Sequence, residues 1–261
     1  STISCASCHL QATGFTHVDH SLSHGIEGKI GTRNSMTLMN LAWSKSFMWD
    51  GGVNHLDVQP LNPITSPVEM DETLENVVGK LQKSEKYRDL FEKAFGTSKI
   101  TGQLALKALS QFALQLVSSN SKYDKVMRKD EVFTLQEQKG YELFINNCAS
   151  CHKEPLFTSD KFENNGLQID TTLNDIGRMK ITNKQEDYLR FKVPTLRNVQ
   201  FTFPYMHDGR FKTLTEVVKH YNSLGKNKRL PKQLAKPMKL SDNERVDLVA
   251  FLKTLTDNEF L

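Results

Sequence analysis

Apolar residues recur at helical spacing in three segments of the first half of the chain. Residues 74–81 place apolar side chains at i, i+3, i+4 and i+7, and Asp71 stands where an N-cap is expected. A second amphipathic segment ends at Gly96. A third begins at Thr101 and carries an apolar stripe over residues 105–116. We interpret the stripes as the core-facing sides of three helices.

Two further helices are predicted in the second half of the chain. Residues 136–146 form a short helical segment in which Gly140 permits another helix to approach closely. Its predicted partner is the last helix, because residues 241–244 form an S-x-x-E capping box ahead of apolar residues at 248–255. Residues 153–192 show weak periodicity and are predicted to be loop with short helices. The chain is therefore expected to be mostly α.

A polar, charged stretch over residues 118–134 separates these two groups of helices. Such a composition suits a crossover between domains. The chain has 261 residues, which is enough for two domains that each bury a core. We place the domains at residues 1–133 and 134–261.

The pentapeptide C-A-S-C-H occurs twice, at residues 5–9 and 148–152. C-x-x-C-H is the attachment signature of a c-type haem: two thiols bind one porphyrin, and the histidine next to them ligates its iron. One C-x-x-C could instead be a redox dithiol or half of a zinc site, but two identical copies in separate segments, each closed by histidine, argue against both. The first haem is predicted to be attached at Cys5 and Cys8, with His9 as its iron ligand. The second is predicted to be attached at Cys148 and Cys151, with His152 as its iron ligand.

The composition of the chain bears on disulfide bonds, nucleic-acid binding and cellular location. Both haem motifs together use all four cysteines, so none is left for a disulfide. The formal charge of +4 falls to roughly +2 when each ferric haem with two propionates adds about −1, which does not suggest nucleic-acid binding. No segment is apolar for long enough to span a membrane. Since haem c is attached outside the bacterial cytoplasm, we expect a periplasmic protein whose signal peptide is not part of this chain.

Several longer motifs resemble one known family. R-N-S-x-T-L-x-N at residue 33, F-x-W-D-G at residue 47 and Q-x-x-x-P-x-x-x-P-x-E-M at residue 59 resemble the di-haem cytochrome c peroxidase/MauG family, in that family's order. V-P-T-L-R-N at residue 193 and T-x-P-Y-x-H-D-G at residue 202 continue the resemblance. It covers essentially the whole chain, and it implies two cytochrome c-like haem domains packed together.

The resemblance also implies roles for individual residues. Gln59, Pro63 and Glu69 match the distal pocket of the first haem, with Glu69 as the proton carrier, although an acid just ahead of a helix has a structural explanation too. Trp49 matches the family's tryptophan between the haems; otherwise it is simply a core residue. The remaining matches are a calcium site between the domains, at Asn34, Thr202 and Pro204, and propionate anchors at Arg197 and His207.

The second haem shows the most informative departure from the family. Tyr221 aligns where electron-accepting peroxidases of this family place a methionine ligand, and tyrosine in that position resembles MauG. An anionic oxygen ligand would stabilise oxidised iron. Met206 and Met238 are rival ligands, and most methionines simply fill gaps. Other departures are Met36 in place of the usual proline and Gly52 in place of a frequent arginine.

The sixth site of the first iron is left open by the sequence. Residues 10–32 are predicted to be a loop around the first haem, and the loop carries His17, His20 and His24. His24 is the preferred candidate for a ligand at that iron. If His24 binds there, the enzyme needs reductive activation; if the site is open, the enzyme behaves like MauG.

These observations predict a peroxidase that reduces hydrogen peroxide with electrons from a small cytochrome c or a cupredoxin. One alternative, favoured by Tyr221, is a MauG-like enzyme that uses peroxide to oxidise residues of a partner protein. The other is a non-enzymatic di-haem electron carrier, which would leave Gln59, Pro63 and Glu69 without explanation. The sequence leaves a homodimer open.

Overall fold

The computed structural model describes residues 2–225, 229–235 and 237–261, and its secondary structure is mostly helical. One small antiparallel sheet pairs Phe162 with Lys192 and Glu163 with Phe191. The helices are α1 (Leu61–Thr65), α2 (Leu74–Lys83), α3 (Glu85–Phe95), α4 (Gly102–Leu114), α5 (Lys122–Met127), α6 (Leu135–Asn147), α7 (Met179–Thr182), α8 (Leu214–Asn222) and α9 (Asp242–Lys253), and the strands are β1 (Phe162–Glu163) and β2 (Phe191–Lys192).

Helices α2, α3 and α4 confirm the three helices that were predicted in the first half of the chain. Thr101 caps α4 as predicted, because its hydroxyl accepts a hydrogen bond from the amide of Leu104. Gly96 ends α3 in the left-handed conformation. The predicted N-cap Asp71 is wrong: it lies in the preceding turn with a positive φ of 47°, and Thr73 caps α2 instead. The backbone amide of Asp71 is bonded to the Ser66 carbonyl, which keeps Asp71 in that turn.

Helices α6 and α9 cross each other, as the glycine and the capping box predicted. The capping box at Ser241 and Glu244 is formed. A Cβ on Gly140 would lie 2.0 Å from the carbonyl oxygen of Asp247, so only glycine permits this approach. Around the crossing, Phe144 and Phe251 are fully buried in the larger core cluster. This core forms one wall of the second haem site.

Helix α5 is an element that the sequence did not predict within the polar crossover. Ser121 starts it with a capping box to Asp124. Tyr123 packs into the core around Phe144 and Phe251, and its amide donates to the carbonyl of Thr254. The helix therefore packs with the second unit, although it precedes the expected boundary at residue 133.

The long segment at residues 153–192 ties the two units together. Its two short strands were not predicted, because two-residue strands carry no detectable alternation. The guanidinium of Arg33 donates to Asp175 at 2.6 and 2.8 Å and to Asp50 at 2.6 Å. At the end of the segment, the amide of Lys192 donates to the Trp49 carbonyl at 2.7 Å. Within the ranges that the structure describes, no helix is long and apolar enough to cross a bilayer.

Candidate active site

The first C-x-x-C-H motif forms a short 3₁₀ turn at Cys5–Ser7. The amide of His9 donates to the Cys5 carbonyl at 2.9 Å, so the imidazole follows directly after the two thiols. Nδ1 of His9 donates to the Phe15 carbonyl at 2.8 Å. This bond fixes the tautomer and leaves the lone pair of Nε2 for a metal.

The second motif repeats this geometry at the end of α6. Nδ1 of His152 lies 3.1 Å from the carbonyl oxygens of both Phe157 and Pro194, so its ring is also held with Nε2 free. Burial lowers the pKa of His9 and of His152. Both imidazoles are therefore neutral near neutral pH, which is the form that ligates iron.

A cavity of about 440 Å³ lies beside the second motif and extends to the first unit. Cys148, Cys151 and His152 line one side of it, and Leu248 and Leu252 of α9 line another. Two buried polar atoms at its wall, Ser159 Oγ and His207 Nδ1, have no hydrogen-bond partner among the described residues. An apolar cavity with two thiols, a free imidazole nitrogen and unpaired polar atoms fits a haem c with its propionates.

Tyr221 lies near the C-terminal end of α8 and lines this cavity, as do its rivals Met206 and Met238. Burial, and next the charges of Cys148 and Cys151, raise the pKa of Tyr221. No described residue forms a hydrogen bond with the Tyr221 hydroxyl. The Sδ of Met206, in contrast, accepts a hydrogen bond from Asn165 at 3.5 Å.

Glu69 lies beside the first motif. Burial, and next the charge of Glu69, raise the pKa of Cys8. The amide of Ile26 donates to the Glu69 carbonyl at 2.6 Å, and a Cβ on Gly25 would lie 2.1 Å from the Val68 carbonyl. Burial raises the pKa of Glu69, against a weaker lowering by the hydroxyl of Ser66. A half-buried carboxyl of raised pKa is suited to carry a proton.

Pro63 and Gln59 approach the same region from α1 and the turn before it. The amide of Met70 donates to the Pro63 carbonyl at 3.2 Å, which brings Pro63 next to the Glu69 segment. Nε2 of Gln59 lies 3.7 Å from the sulphur of Met48, the neighbour of Trp49 in the chain. The structure thus groups Pro63 with Glu69 and turns Gln59 toward the tryptophan segment.

His24 lies on the same side of the first motif as Glu69. Its carbonyl oxygen is 3.8 Å from Sγ of Cys8, and its ring stacks on His20 with centroids 4.2 Å apart. His17 follows at 5.4 Å from His20, and Nδ1 of His17 is buried without a partner. In the part of the chain that the structure describes, no three His, Cys, Asp or Glu side chains are arranged to hold a metal ion. The three histidine rings lie next to one another, and only those of His20 and His24 are stacked.

Trp49 lies where the two units meet. Its side chain is buried and lines the cavity of the second motif. The indole Nε1 donates to the Asn34 carbonyl, and the amide of Asn34 donates to the His207 carbonyl at 2.7 Å. Asn34, Thr202 and Pro204 all line the same cavity, so the three expected calcium ligands are brought to one region.

The two expected propionate anchors have different surroundings. His207 is buried and lines the cavity, where its ring stacks on Phe191 at 3.7 Å. Arg197 instead forms a bidentate ion pair with Asp124, at 2.7 and 2.8 Å, and donates to the Pro155 carbonyl. Arg197 is absent from the cavity wall, so its contacts give no support to a role at a propionate.

Sequence reasoning missed two cations at this junction. Lys192 is buried and lines the cavity, where its ammonium pairs with Asp160 and donates to the Ser46 carbonyl. Arg178 donates to the Asp50 carbonyl at 3.0 Å and lies 3.8 Å over the Phe162 ring. It places a cation beside the W-D-G-G segment. The carbonyls of Ser46 and Asp50 are each more than 100 residues away in the chain from the cation that they bind, so no local pattern indicates these two contacts.

Comparison with known proteins gives a consistent picture. Residues 1–132 match the family model described as di-haem cytochrome c peroxidase, and residues 137–256 match cytochrome c. The chain is 35% identical to the methylamine utilization protein MauG of Methylorubrum extorquens AM1, over 97% of this chain and 72% of that protein. It is 33% identical to the cytochrome c551 peroxidase of Nitrosomonas europaea, over 98% and 75%. Among solved structures, a MauG-like protein associated with microbial copper homeostasis has a TM-score of 0.91, with 29% identity and coverage of 99% and 85%.

Proposed function

Because the chain belongs to the di-haem cytochrome c peroxidase family, we propose that it reduces hydrogen peroxide at the haem held by His9, with electrons that enter at the haem held by His152. The protein is a peroxidase-type oxidoreductase with two haem c groups. When bound, the haem iron supplies the site for peroxide and the redox chemistry of O–O cleavage. Reduction of one peroxide to two waters consumes two electrons and two protons.

The placement of Trp49 is the observation that supports this assignment most. Its indole lines the cavity beside the second motif, while its chain segment continues into the turn that carries Gln59. A buried aromatic ring fixed at both its indole nitrogen and its backbone carbonyl is suited to carry electrons between the two units. A simple electron carrier would leave Gln59, Pro63 and Glu69 without a role.

Glu69 supplies the proton chemistry in this proposal. Glu69 lies beside the first motif, and burial keeps the pKa of its carboxyl above the ordinary value. A group of that kind takes a proton from one peroxide oxygen and returns it to the other. Pro63, next to it, has no backbone N–H to compete for the carboxylate.

A MauG-like function is the second candidate, and Tyr221 favours it. Its side chain lines the cavity beside the second motif, and its hydroxyl forms no hydrogen bond with a described residue, whereas the sulphur of Met206 accepts one from Asn165. An oxygen ligand stabilises oxidised iron, which favours oxidation of a partner protein over electron uptake from a donor. In that case the substrate is a protein side chain.

Three finer assignments belong to the same proposal. The electron donor is a small cytochrome c or a cupredoxin. A calcium ion is held at the junction of the units by the side-chain oxygen of Asn34 and the carbonyls of Thr202 and Pro204, which are donors of the hard type that Ca²⁺ prefers. The protein acts in the periplasm, where haem c is attached.

The experiment adds one equivalent of peroxide to the holoprotein in two states, fully ferric and reduced by one electron, and follows the visible spectrum in a stopped flow. Reaction only in the reduced state indicates a first haem closed by His24 and a conventional peroxidase. Reaction in the ferric state indicates an open first haem and a MauG-like enzyme. If peroxide is consumed in neither state, the proposed function is wrong.

A pair of histidine variants sharpens that result. If His24 closes the first haem, His24→Ala makes the ferric protein react with peroxide. His20→Ala is the matched control, because it removes the stacked neighbour of His24 and leaves His24 itself in place. A ferric protein that stays unreactive in both variants would show that His24 is not the block.

A further inference from the structure

The two predicted iron ligands are oriented by the same backbone arrangement. In the first unit, Nδ1 of His9 donates to the carbonyl of Phe15 at 2.8 Å. In the second unit, Nδ1 of His152 lies 3.1 Å from the carbonyl oxygen of Phe157. Both phenylalanines have a positive φ, 60° for Phe15 and 53° for Phe157. Each unit therefore uses a phenylalanine in the left-handed region to direct a carbonyl at its histidine.

This conformation is unfavourable for a bulky side chain. A left-handed φ brings Cβ close to the backbone carbonyl, so glycine adopts it readily and phenylalanine rarely does. A residue of this kind keeps its conformation only where the surrounding contacts hold it there. The packing of the two rings therefore decides whether each carbonyl stays directed at its histidine.

The ring of Phe157 is held within the second unit. Phe157 is fully buried, and its ring centroid lies 4.8 Å from that of Tyr123 and 5.5 Å from that of Phe144. Phe251 of α9 completes this aromatic surrounding at 6.4 Å. All of these side chains belong to the core cluster of the second unit, so the orientation of His152 is fixed by its own unit.

The ring of Phe15 is covered from both units. Phe112 of α4 meets it edge to face with centroids 6.5 Å apart, and Phe260 lies closer, at 5.7 Å. Phe112 is 54% exposed, whereas Phe260 is half-buried. Phe260 follows α9 and thus belongs to the second unit. The carbonyl that orients His9 therefore depends on a ring that the second unit supplies.

A turn that starts at Asp257 fixes the position of Phe260. The amide of Phe260 lies 3.2 Å from the backbone carbonyl of Asp257 and 3.3 Å from its Oδ1. Oδ2 of Asp257 accepts the amides of Ser119 and Asn120 at 2.9 Å each. Asp257 is buried, and its own amide donates to the side-chain oxygen of Asn198 at 2.7 Å. The ring of Phe260 is therefore presented to Phe15 by a well-bonded turn.

We infer that Phe260 is a positioning residue for the first haem: through Phe15, it holds the imidazole of His9 in the hydrogen-bonded orientation that presents Nε2 to the iron. A hydrogen bond at Nδ1 makes an imidazole a more basic ligand, which favours oxidised iron. The second unit thus contributes to the ligand strength at the first iron. The inference requires a haem at His9 but not the peroxidase function.

The experiment measures the reduction potential of each haem in the holoprotein, by a redox titration followed by visible and EPR spectra, without peroxide. Phe260→Ala removes the ring that covers Phe15 and weakens the bond of His9. It should make the first haem about tenfold easier to reduce, which is a rise of about 59 mV for one electron. The second haem should keep its potential, because Phe157 is packed within its own unit. Phe260→Tyr keeps the ring and should restore the first potential.

Further variants separate positioning from stability. Phe95→Ala is the matched control, because Phe95 is also half-buried but its ring packs on Phe91 of α3, at 5.4 Å. This variant should lose stability without a change in either potential. Phe260→Leu keeps apolar bulk, so that it folds where the alanine variant fails, and should give a smaller shift in the same direction. Phe15→Ala/Phe260→Ala should shift the first potential no more than Phe15→Ala alone, since Phe260 acts through Phe15.

Four results would overturn the inference. They are a loss of stability in Phe260→Ala with an unchanged first potential, an equal shift at both haems, a Phe260→Tyr variant that does not restore the potential, and additive shifts in the double variant. Because these titrations contain no peroxide, each of the four leaves the proposed peroxidase function intact. Conversely, a protein that consumes no peroxide but shows the shift at the first haem alone would keep this inference and lose the peroxidase function.

Discussion

The indole Nε1–H of Trp49 donates to the backbone carbonyl of Asn34 at 2.9 Å. The carbonyl of Trp49 in turn accepts from the amide of Lys192 in the second unit, and the amide of Asn34 donates to the carbonyl of His207. The tryptophan is therefore held by the chain segments of both units at once. Its position depends on the junction between the units rather than on one core.

Replacing Trp49 with Phe should slow turnover more than it disturbs the fold. The substitution keeps an aromatic ring but removes the bond to Asn34, at a cost of about 1 kcal/mol. We expect kcat for peroxide reduction to fall by about tenfold, which corresponds to 1.4 kcal/mol in the barrier. Both haem spectra should stay unchanged.

Trp43→Phe is the matched control for that variant. Trp43 is exposed, and no hydrogen bond of its indole to another described residue is formed. With hydroquinone as donor, its kcat should equal that of the unaltered protein. Equal rates for both variants would contradict a role of Trp49 between the haems.

Because of Glu69, kcat/KM for peroxide should decrease at acid pH. The decrease should begin above the ordinary glutamate pKa of 4.5. Since burial raises its pKa, the carboxylate that accepts the first proton is lost as the pH falls through that raised value. Glu69→Gln should lower kcat/KM for peroxide by about 10² to 10⁴-fold and abolish this decrease. The measurement is a pH profile of kcat/KM.

Glu75→Gln provides the comparison for Glu69→Gln. Glu75 is an exposed glutamate in the first turn of α2, only a few residues further along the chain. It should leave both the rate and the pH profile as they are. A decrease at acid pH that persists in Glu69→Gln would be assigned to another group.

Tyr221→Phe should change the spectrum of the second haem alone. If the phenol oxygen ligates that iron, its removal leaves the fold intact but changes the coordination and raises the reduction potential of the second haem. The measurement is visible and EPR spectroscopy during a redox titration. An unchanged second-haem signal would show that Tyr221 is not the ligand and would favour Met206 or Met238.

Tyr205→Phe controls for the loss of a hydroxyl in the same cavity. Tyr205 also lines the wall, but its hydroxyl already donates to the Val199 carbonyl at 2.9 Å. Its removal should cost about 1 kcal/mol of stability without a spectral change. The two tyrosines therefore separate ligation from simple packing.

Local patterns predicted the elements that depend on local forces. The caps at Thr101 and Ser241 and the close approach at Gly140 were all visible in the sequence, because each follows from a few neighbouring residues. The N-cap at Asp71 was predicted wrongly, since a turn bond to Ser66 outweighed its capping preference. Capping energies of about 1 kcal/mol are easily overridden in this way.

Long-range pairing is what the sequence could not supply. The haem ligands were predicted from their spacing alone, and in the structure the Nδ1 atoms of both histidines are bonded to backbone carbonyls, which leaves Nε2 available. The contacts of Lys192, Arg178 and Arg197 with distant partners follow from tertiary packing, which no periodicity encodes. For Arg197, the role at a haem propionate stays a prediction.

Asp124→Asn should therefore destabilise the fold rather than alter a haem. Asp124 and Arg197 are a buried ion pair, and removing one charge strands the other, at a cost of about 3 to 5 kcal/mol. Burial opposes ionisation of Asp124, but bonds from Arg197 and Ser121 hold its pKa below the ordinary 3.8. The pair thus adds stability above that pH and loses it as the pH falls through the lowered pKa, so the variant should unfold with less pH dependence in acid. Urea unfolding at several pH values measures this.

Asp130→Asn is the control. Asp130 forms an exposed ion pair with Arg128, so this variant should change the stability little. If Asp124→Asn instead shifts the reduction potential of the second haem and leaves the stability unchanged, that result would support a contact between Arg197 and a haem propionate.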